Sequence, residues 1–295
     1  MNLIDAVHCL CSTTTRGAAL GALLVLSACS GRAGEGTGTG GGAAAGGSAA
    51  GTGGSSGGGS SAELVGNVAV SNTCLESGAC VGGALAQFFA GDAVEAGCER
   101  TTMGSCDVTR CGLSTAGVPW RFESAGTVTI AGTAAGALTL NFDGGYYQSV
   151  QSRLWDAGET LTFSAQGATV PAFSGRTVTA PGAPAVTSLS CDGGSCGTVS
   201  RAADFPIVWS AQAAELVVIL TAVRTGGTQP DVVAACQFST SPAQVPAAVM
   251  GLIPAQATLN LVTAAQNRNT FTAGAWTITA RAQVLGPRGL LTPSN

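Results

Sequence analysis

The stretch Glu215-Leu-Val-Val-Ile-Leu-Thr-Ala222 is apolar at odd and even positions alike. Successive side chains of a strand point to opposite faces, so such a run predicts a strand covered on both sides, in the middle of a sheet. Around it, apolar residues alternate with small polar ones, each run bounded by Gly, Pro or Asp. Ser124-Ala-Gly-Thr-Val-Thr-Ile130 and Ala137-Leu-Thr-Leu-Asn-Phe142 read as neighbouring strands on either side of a Gly132 to Gly136 turn region. Glu159 to Ala165, Arg176 to Ala180, Ile207 to Ser210, Ala257 to Val262 and Trp276 to Arg281 keep the same two-residue period. Only Pro246-Ala-Ala-Val-Met-Gly-Leu252, which starts on a proline, reads as a short helix. Many short strands separated by turn signals predict an all-β fold, an antiparallel β-sandwich of which a jelly-roll is one arrangement. No solenoid-scale repeat is visible.

This domain is expected to fill residues 62–295, because residues 31–61 are almost wholly Gly, Ala, Ser and Thr, with Arg32 and Glu35 their only charges. A segment with no large apolar side chain to bury has no means of forming a core, and predicts a disordered tether. At about 31 residues its root-mean-square span is roughly 30 Å, with a stretched limit on the order of 100 Å.

Ahead of the tether, the apolar run Gly17 to Ala28 is about a dozen residues long, where a membrane-crossing helix needs about 20. With Thr13, Thr14, Thr15 and Arg16 before it, the run fits the apolar region of a secretory signal, although Asp5 weakens the basic flank. It ends in Leu26-Ser27-Ala28-Cys29, which resembles the lipobox of bacterial lipoproteins. The resemblance implies that residues 1–28 are a signal peptide, that Cys29 carries a diacylglycerol thioether and an acylated new N-terminus, and that residues 29–61 tether the domain to a membrane. It also implies location in the cell envelope, and Ser30 in place of aspartate favours the outer membrane. Three acyl chains anchor a protein durably where one does so only marginally. Ala125-Gly-Thr-Val-Thr-Ile130, Leu154-Trp-Asp-Ala-Gly158, Ser164-Ala-Gln-Gly167 and Val170-Pro-Ala-Phe173 resemble a pattern recurring among envelope lipoproteins, and carry no activity with them.

Only 9% of the chain is charged while its mean hydropathy is positive, so the surface is expected to be built from neutral Thr, Ser, Gln, Asn and Gly. A net charge of −4 and no cluster of arginines among aromatics argue against nucleic acid as a partner. With Cys9 and Cys11 in the signal and Cys29 lipidated, the domain keeps Cys74, Cys80, Cys98, Cys106, Cys111, Cys191, Cys196 and Cys236. An even set in an exported domain predicts disulfides, and eight cysteines allow on the order of a hundred pairings. Cys74 with Cys80 and Cys191 with Cys196 are plausible local bridges across Gly-containing turns. Cys98, Cys106 and Cys111 crowd a stretch poor in large apolar residues, where staples replace a core, and Cys236 is expected to tie its own strand-like stretch to the sandwich. The competing reading is zinc, faintly echoed by Cys106-x4-Cys111 and Cys191-x4-Cys196, but structural zinc sites typically use C-x2-4-C pairs with further Cys or His ligands, and exported thiolates oxidise. No metal and no cofactor is expected.

Catalysis is constrained by what the chain lacks. Its one histidine, His8, lies in the signal, and all its basic side chains are arginines. That removes Ser-His-Asp and Cys-His arrangements, Ser-Lys dyads, Schiff bases and His-ligated metals. The carboxylates Asp156 and Glu159 beside Trp155 are the alternative, a pair for glycan hydrolysis, against the plainer reading of a β-turn before a strand resuming at Thr160. Asp143-Gly-Gly145 and Asp192-Gly-Gly194 read as turns, since neither clusters enough oxygen ligands for calcium. Tyr146 and Tyr147, adjacent on a strand, are expected to face opposite ways, leaving one ring able to stack on a sugar. Trp120, Trp155, Trp209 and Trp276 are expected in the core. The sequence therefore predicts a non-catalytic binding or structural lipoprotein, with a polysaccharide or envelope protein as its partner.

Overall fold

The computed structural model describes residues 64–74, 80–90, 98–111, 121–143, 147–191, 194–225 and 230–294. The signal, Cys29, the tether, Trp120, Tyr146 and the glycines of the Asp143 and Asp192 turns lie outside these residues or at their limits. The described chain opens with a hairpin of β1 (Leu64–Cys74) and β2 (Cys80–Ala90), then a second of β3 (Cys98–Met103) and β4 (Cys106–Cys111). There follow β5 (Arg121–Phe122), β6 (Val128–Thr133), β7 (Gly136–Leu140), β8 (Tyr147–Ser152), β9 (Thr160–Ala165) and β10 (Phe173–Thr179). Short strands β11 (Ala185–Val186), β12 (Ser195–Ser200), β13 (Phe205–Ile207) and β14 (Trp209–Ser210) precede β15 (Glu215–Arg224), β16 (Val232–Phe238) and β17 (Ala243–Val245). After the single turn of α1 (Ala247–Met250), the long hairpin β18 (Ala257–Ala273) and β19 (Trp276–Ser294) closes the fold.

Eleven strands form one sheet in the order β3-β4-β16-β15-β18-β19-β1-β2-β5, with β12 also on β19 and β8 also on β2. A four-stranded sheet, β10-β9-β6-β7, packs against part of it, and the pairs β11-β14 and β13-β17 stand apart. The all-β, sandwich-like architecture is the one expected. Strand β15 lies between β16 and β18 with Val217, Val218, Ile219 and Leu220 all buried, as its two apolar faces require. The purely antiparallel order needs correction in two ladders, because β1 and β12 both run parallel to β19. Parallel neighbours must be joined by a crossover rather than a hairpin, and here β1 and β19 come from opposite ends of the described chain.

The alternation read from the sequence holds best where one face meets solvent. On β9, Leu161, Phe163 and Ala165 are buried while their neighbours are not, and β6 and β7 pair antiparallel across a turn at residues 134–135. Gly132 allows the bulge before that turn: its φ is +84°, and a Cβ there would lie 2.3 Å from the Thr160 carbonyl oxygen. The helix forms where expected, with Pro246 as its N-cap, the Asp204 carboxylate accepting from the Ala247 N–H at 2.6 Å, and Val249 and Met250 buried.

Parity along the long hairpin orders the interior. On β18, Leu259 and Leu261 enter one core and Phe271 and Ala273 another; all are odd-numbered, so both cores lie on the same face of the large sheet. Strand β19 presents even residues from Trp276 to Val284 to that face, and then the odd Leu291. The switch is a bulge, since Leu285 faces Ala264 and Arg288 faces Val262. Gly286 sits in it because a Cβ would meet Pro184 Cγ at 2.6 Å and Thr263 Oγ1 at 2.8 Å.

Candidate functional site

The opposite face of the large sheet carries the apolar cluster Val217, Ile219, Ala235, Ala264 and Leu285, and alternation places the buried Val65, Ala69 and Leu85 on it as well. Between these it is polar, and much of that polar surface is buried. Alternation places Asn67, Ser71, Gln87, Gln266, Thr279, Arg281 and Gln283 there, each no more than 5% exposed. A buried polar group costs free energy unless it is hydrogen-bonded, and Gln266, Gln283, Arg281, Asn67 and Thr279 bond across strands, whereas the Ser71 hydroxyl is buried without a partner. Gln283 donates to Gln266 Oε1 at 2.9 Å, Gln266 donates to Glu215 Oε2 at 2.8 Å, and Arg268 donates to Glu215 Oε1 at 2.9 Å. One carboxylate thus ends a chain crossing β19, β18 and β15.

Arg268 and Arg281 stand directly opposite in the β18–β19 register. Like charges so placed repel, and each guanidinium turns to a different acceptor: Arg268 to Glu215, Arg281 to the side-chain oxygen of Asn67 on β1. Asn67 itself faces Gln87 across the β1–β2 ladder.

At the β3–β4 end this polar face opens into a cleft of about 300 Å³. Thr102, Gly104, Ser105, Cys106, Asp107, Glu215, Ala235, Gln237, Ser239 and Arg268 line it. The β3–β4 turn forms one wall, held to β16 where the Gln237 N–H donates to the Ser105 carbonyl at 2.9 Å. Asp107 accepts from Thr102 Oγ1 at 2.8 Å through one oxygen and from Arg100 at 3.1 Å through the other. Both carboxylates of the cleft therefore have each oxygen engaged by a donor.

The sequence-predicted residues fall elsewhere. Asp156 and Glu159 form a turn, in which the Glu159 N–H donates to the Asp156 carbonyl at 3.2 Å and the Asp156 N–H to Glu159 Oε2 at 2.9 Å. Asp156 also pairs with Arg153, and its side chain is 68% exposed. Neither residue lines the cleft. Trp155, Trp209 and Trp276 are buried, as expected.

Among the described residues, seven cysteines are in disulfides. Cys98 bonds Cys111 across the β3–β4 hairpin, Cys106 bonds Cys236 across β4 and β16, and Cys191 bonds Cys196. Cys80 is also disulfide-bonded, and Cys74 stands opposite it in the β1–β2 register. The local Cys191–Cys196 bridge and the tie through Cys236 are those expected, and the sulfurs that echoed zinc spacing are all in disulfides. Among the described residues no cluster of three or more Cys, His, Asp or Glu side chains is placed to hold a metal.

Apart from Cys106, named for its disulfide, the cleft residues were missed in the sequence because none forms a motif. Parity signals only the polar face beside the cleft: Thr277, Thr279, Arg281 and Gln283 alternate with apolar residues, and in so weakly charged a chain an arginine inside such a run is notable. Comparison with known proteins gives no match, whether with family models, curated proteins or solved structures.

Proposed function

We propose that this chain is a cell-envelope lipoprotein, fastened at Cys29 and directed to the outer membrane, whose β-sandwich domain is a non-catalytic binding or structural module. The apolar run, the Leu26 to Cys29 sequence and the Gly-rich tether stand in the order that such anchoring requires. Disulfides through Cys98, Cys106 and Cys191 suit an oxidising compartment. The observation that carries the non-catalytic reading is the state of Asp107 and Glu215. Each is held by an arginine and by a second donor, which fixes it in the cleft wall as a hydrogen-bonding group and leaves its remaining lone pairs to accept from a ligand.

Metabolic labelling with a fatty acid tests the anchor: wild type is expected to take up label and Cys29→Ser to take up none, and equal labelling overturns it. For the domain, the purified protein is expected to leave a broad panel of glycans uncut. Hydrolysis that disappears in Asp156→Asn or Glu159→Gln would replace the binding module with a glycan hydrolase.

A further inference from the structure

We infer that the cleft between the β3–β4 turn and β15–β18 binds an uncharged, polyhydroxylated ligand, a sugar unit, through hydrogen bonds alone. This rests on the binding reading above and gives it a site and a ligand class.

The charges of the cleft are internally paired. Asp107 is matched by Arg100, which does not itself line the cleft, and Glu215 by Arg268, so an anion entering it meets two carboxylates and a cation meets the Arg268 guanidinium. A charged ligand must therefore displace an ion pair before it gains one. A neutral ligand meets no such opposition. Each carboxylate offers about four lone-pair sites, of which two are used here, and a guanidinium has five N–H donors. What remains is a row of acceptors on Asp107 and Glu215 beside donors on Arg268. A hydroxyl group both gives and receives a hydrogen bond, so neighbouring hydroxyls on a ring satisfy both kinds of site at once.

The other lining groups have the same character. Ser105 and Ser239 bring hydroxyls, Gln237 an amide, and Gly104 leaves the rim open. None of the lining residues is aromatic, so recognition proceeds without ring stacking and is expected to be weak for one sugar unit and stronger for a repeating chain. The volume is at the lower end of small-molecule sites, which start near 300 Å³, and suits a unit the size of a mono- or disaccharide. The buried chain Gln283, Gln266, Glu215 fixes the carboxylate from behind, so little ordering remains to be done on binding.

The test uses the full-length oxidised protein in detergent and saturation-transfer NMR with four probes: methyl glucoside, N-acetylglucosamine, glucuronate and glucosamine. Transfer is expected to the two neutral sugars and to be weak or missing for the two charged ones. Gln237→Ala and Ser239→Ala, both at the cleft surface, are expected to weaken the neutral sugars by about 3- to 10-fold each. Arg268→Gln is expected to weaken them by about 10-fold or more, with circular dichroism confirming the fold. Preference for either charged sugar, or no transfer to any probe, overturns the proposal. Neutral-sugar binding unchanged in both Gln237→Ala and Ser239→Ala also overturns it while leaving a glycan-binding lipoprotein intact. The Cys29 labelling result is independent of all these outcomes.

Discussion

On one face of the large sheet, Phe88, Trp276 and Ile278 are covered by a second sheet, whereas Leu216, Val218 and Leu261 are covered by short strand pairs and α1. The first region is closed by large side chains: Phe88 meets Phe173 and Trp276 at 6.4 Å between ring centroids, and Phe173 meets Phe271 at 5.1 Å. The second has less regular cover and adds sulfur to its aromatics Phe205, Trp209 and Phe238, with Cys106, Cys236 and Cys196 inside its core and Cys191 against it. Where a whole sheet supplies the cover, hydrophobic burial closes the core. Where only short segments are at hand, covalent ties limit what the unfolded chain can do.

The comparison is broken most directly at Cys106–Cys236, which spans 130 residues. In the chain-entropy model, replacing both with serine costs about 5 kcal/mol. Hydrogen exchange should then speed up in β4, β15 and β16 while β6 and β9 keep their protection; equal loss in both regions would mean that the staple does not belong to the second core. The converse is Phe163→Ala in the first core, where a fully buried ring is removed. A loss of about 3 to 5 kcal/mol is expected by denaturant unfolding, with the disulfides intact. A smaller effect is expected at Asn72, whose side chain donates to the Trp155 carbonyl at 3.2 Å and accepts from the Leu154 N–H at 2.9 Å. Asn72→Ala leaves both backbone groups buried without that partner, costing about 1 to 3 kcal/mol and freeing the 153–159 segment to exchange. Asp156→Asn lies at the exposed tip of the same segment and should change stability by no more than about 0.5 kcal/mol.

The strands most legible in the sequence are those of the first region's covering sheet. Leu161, Phe163 and Ala165 are buried between exposed or half-exposed neighbours, so their alternation survives in the chain itself. β1 and β2 show no two-residue period, because Val65 to Val70 is buried at every position and much of it is small or polar. The strands expected at Ala257 to Val262 and Trp276 to Arg281 extend further as β18 and β19. Beyond them come Gln266, Asn267 and Arg268 on one strand and the Gly286 bulge on the other, which interrupt the apolar pattern while the backbone ladder continues. In the sequence Glu215 is only the start of a central strand. Its role as acceptor for Arg268 and Gln266 depends on residues more than fifty positions away.

The sequence by itself determined the strand-rich class, the covered middle strand, the short helix after Pro246 and the disulfide-bonded state of its domain cysteines. These depend on period, composition and spacing, which are local. Only the tertiary structure decided that β1 lies parallel to β19, that Arg281 reaches Asn67 across 214 residues, and that Asp107 and Glu215 share a cleft. Those facts depend on which strands become neighbours and in what register. A one-residue shift would turn every polar side chain of that face into the apolar cores.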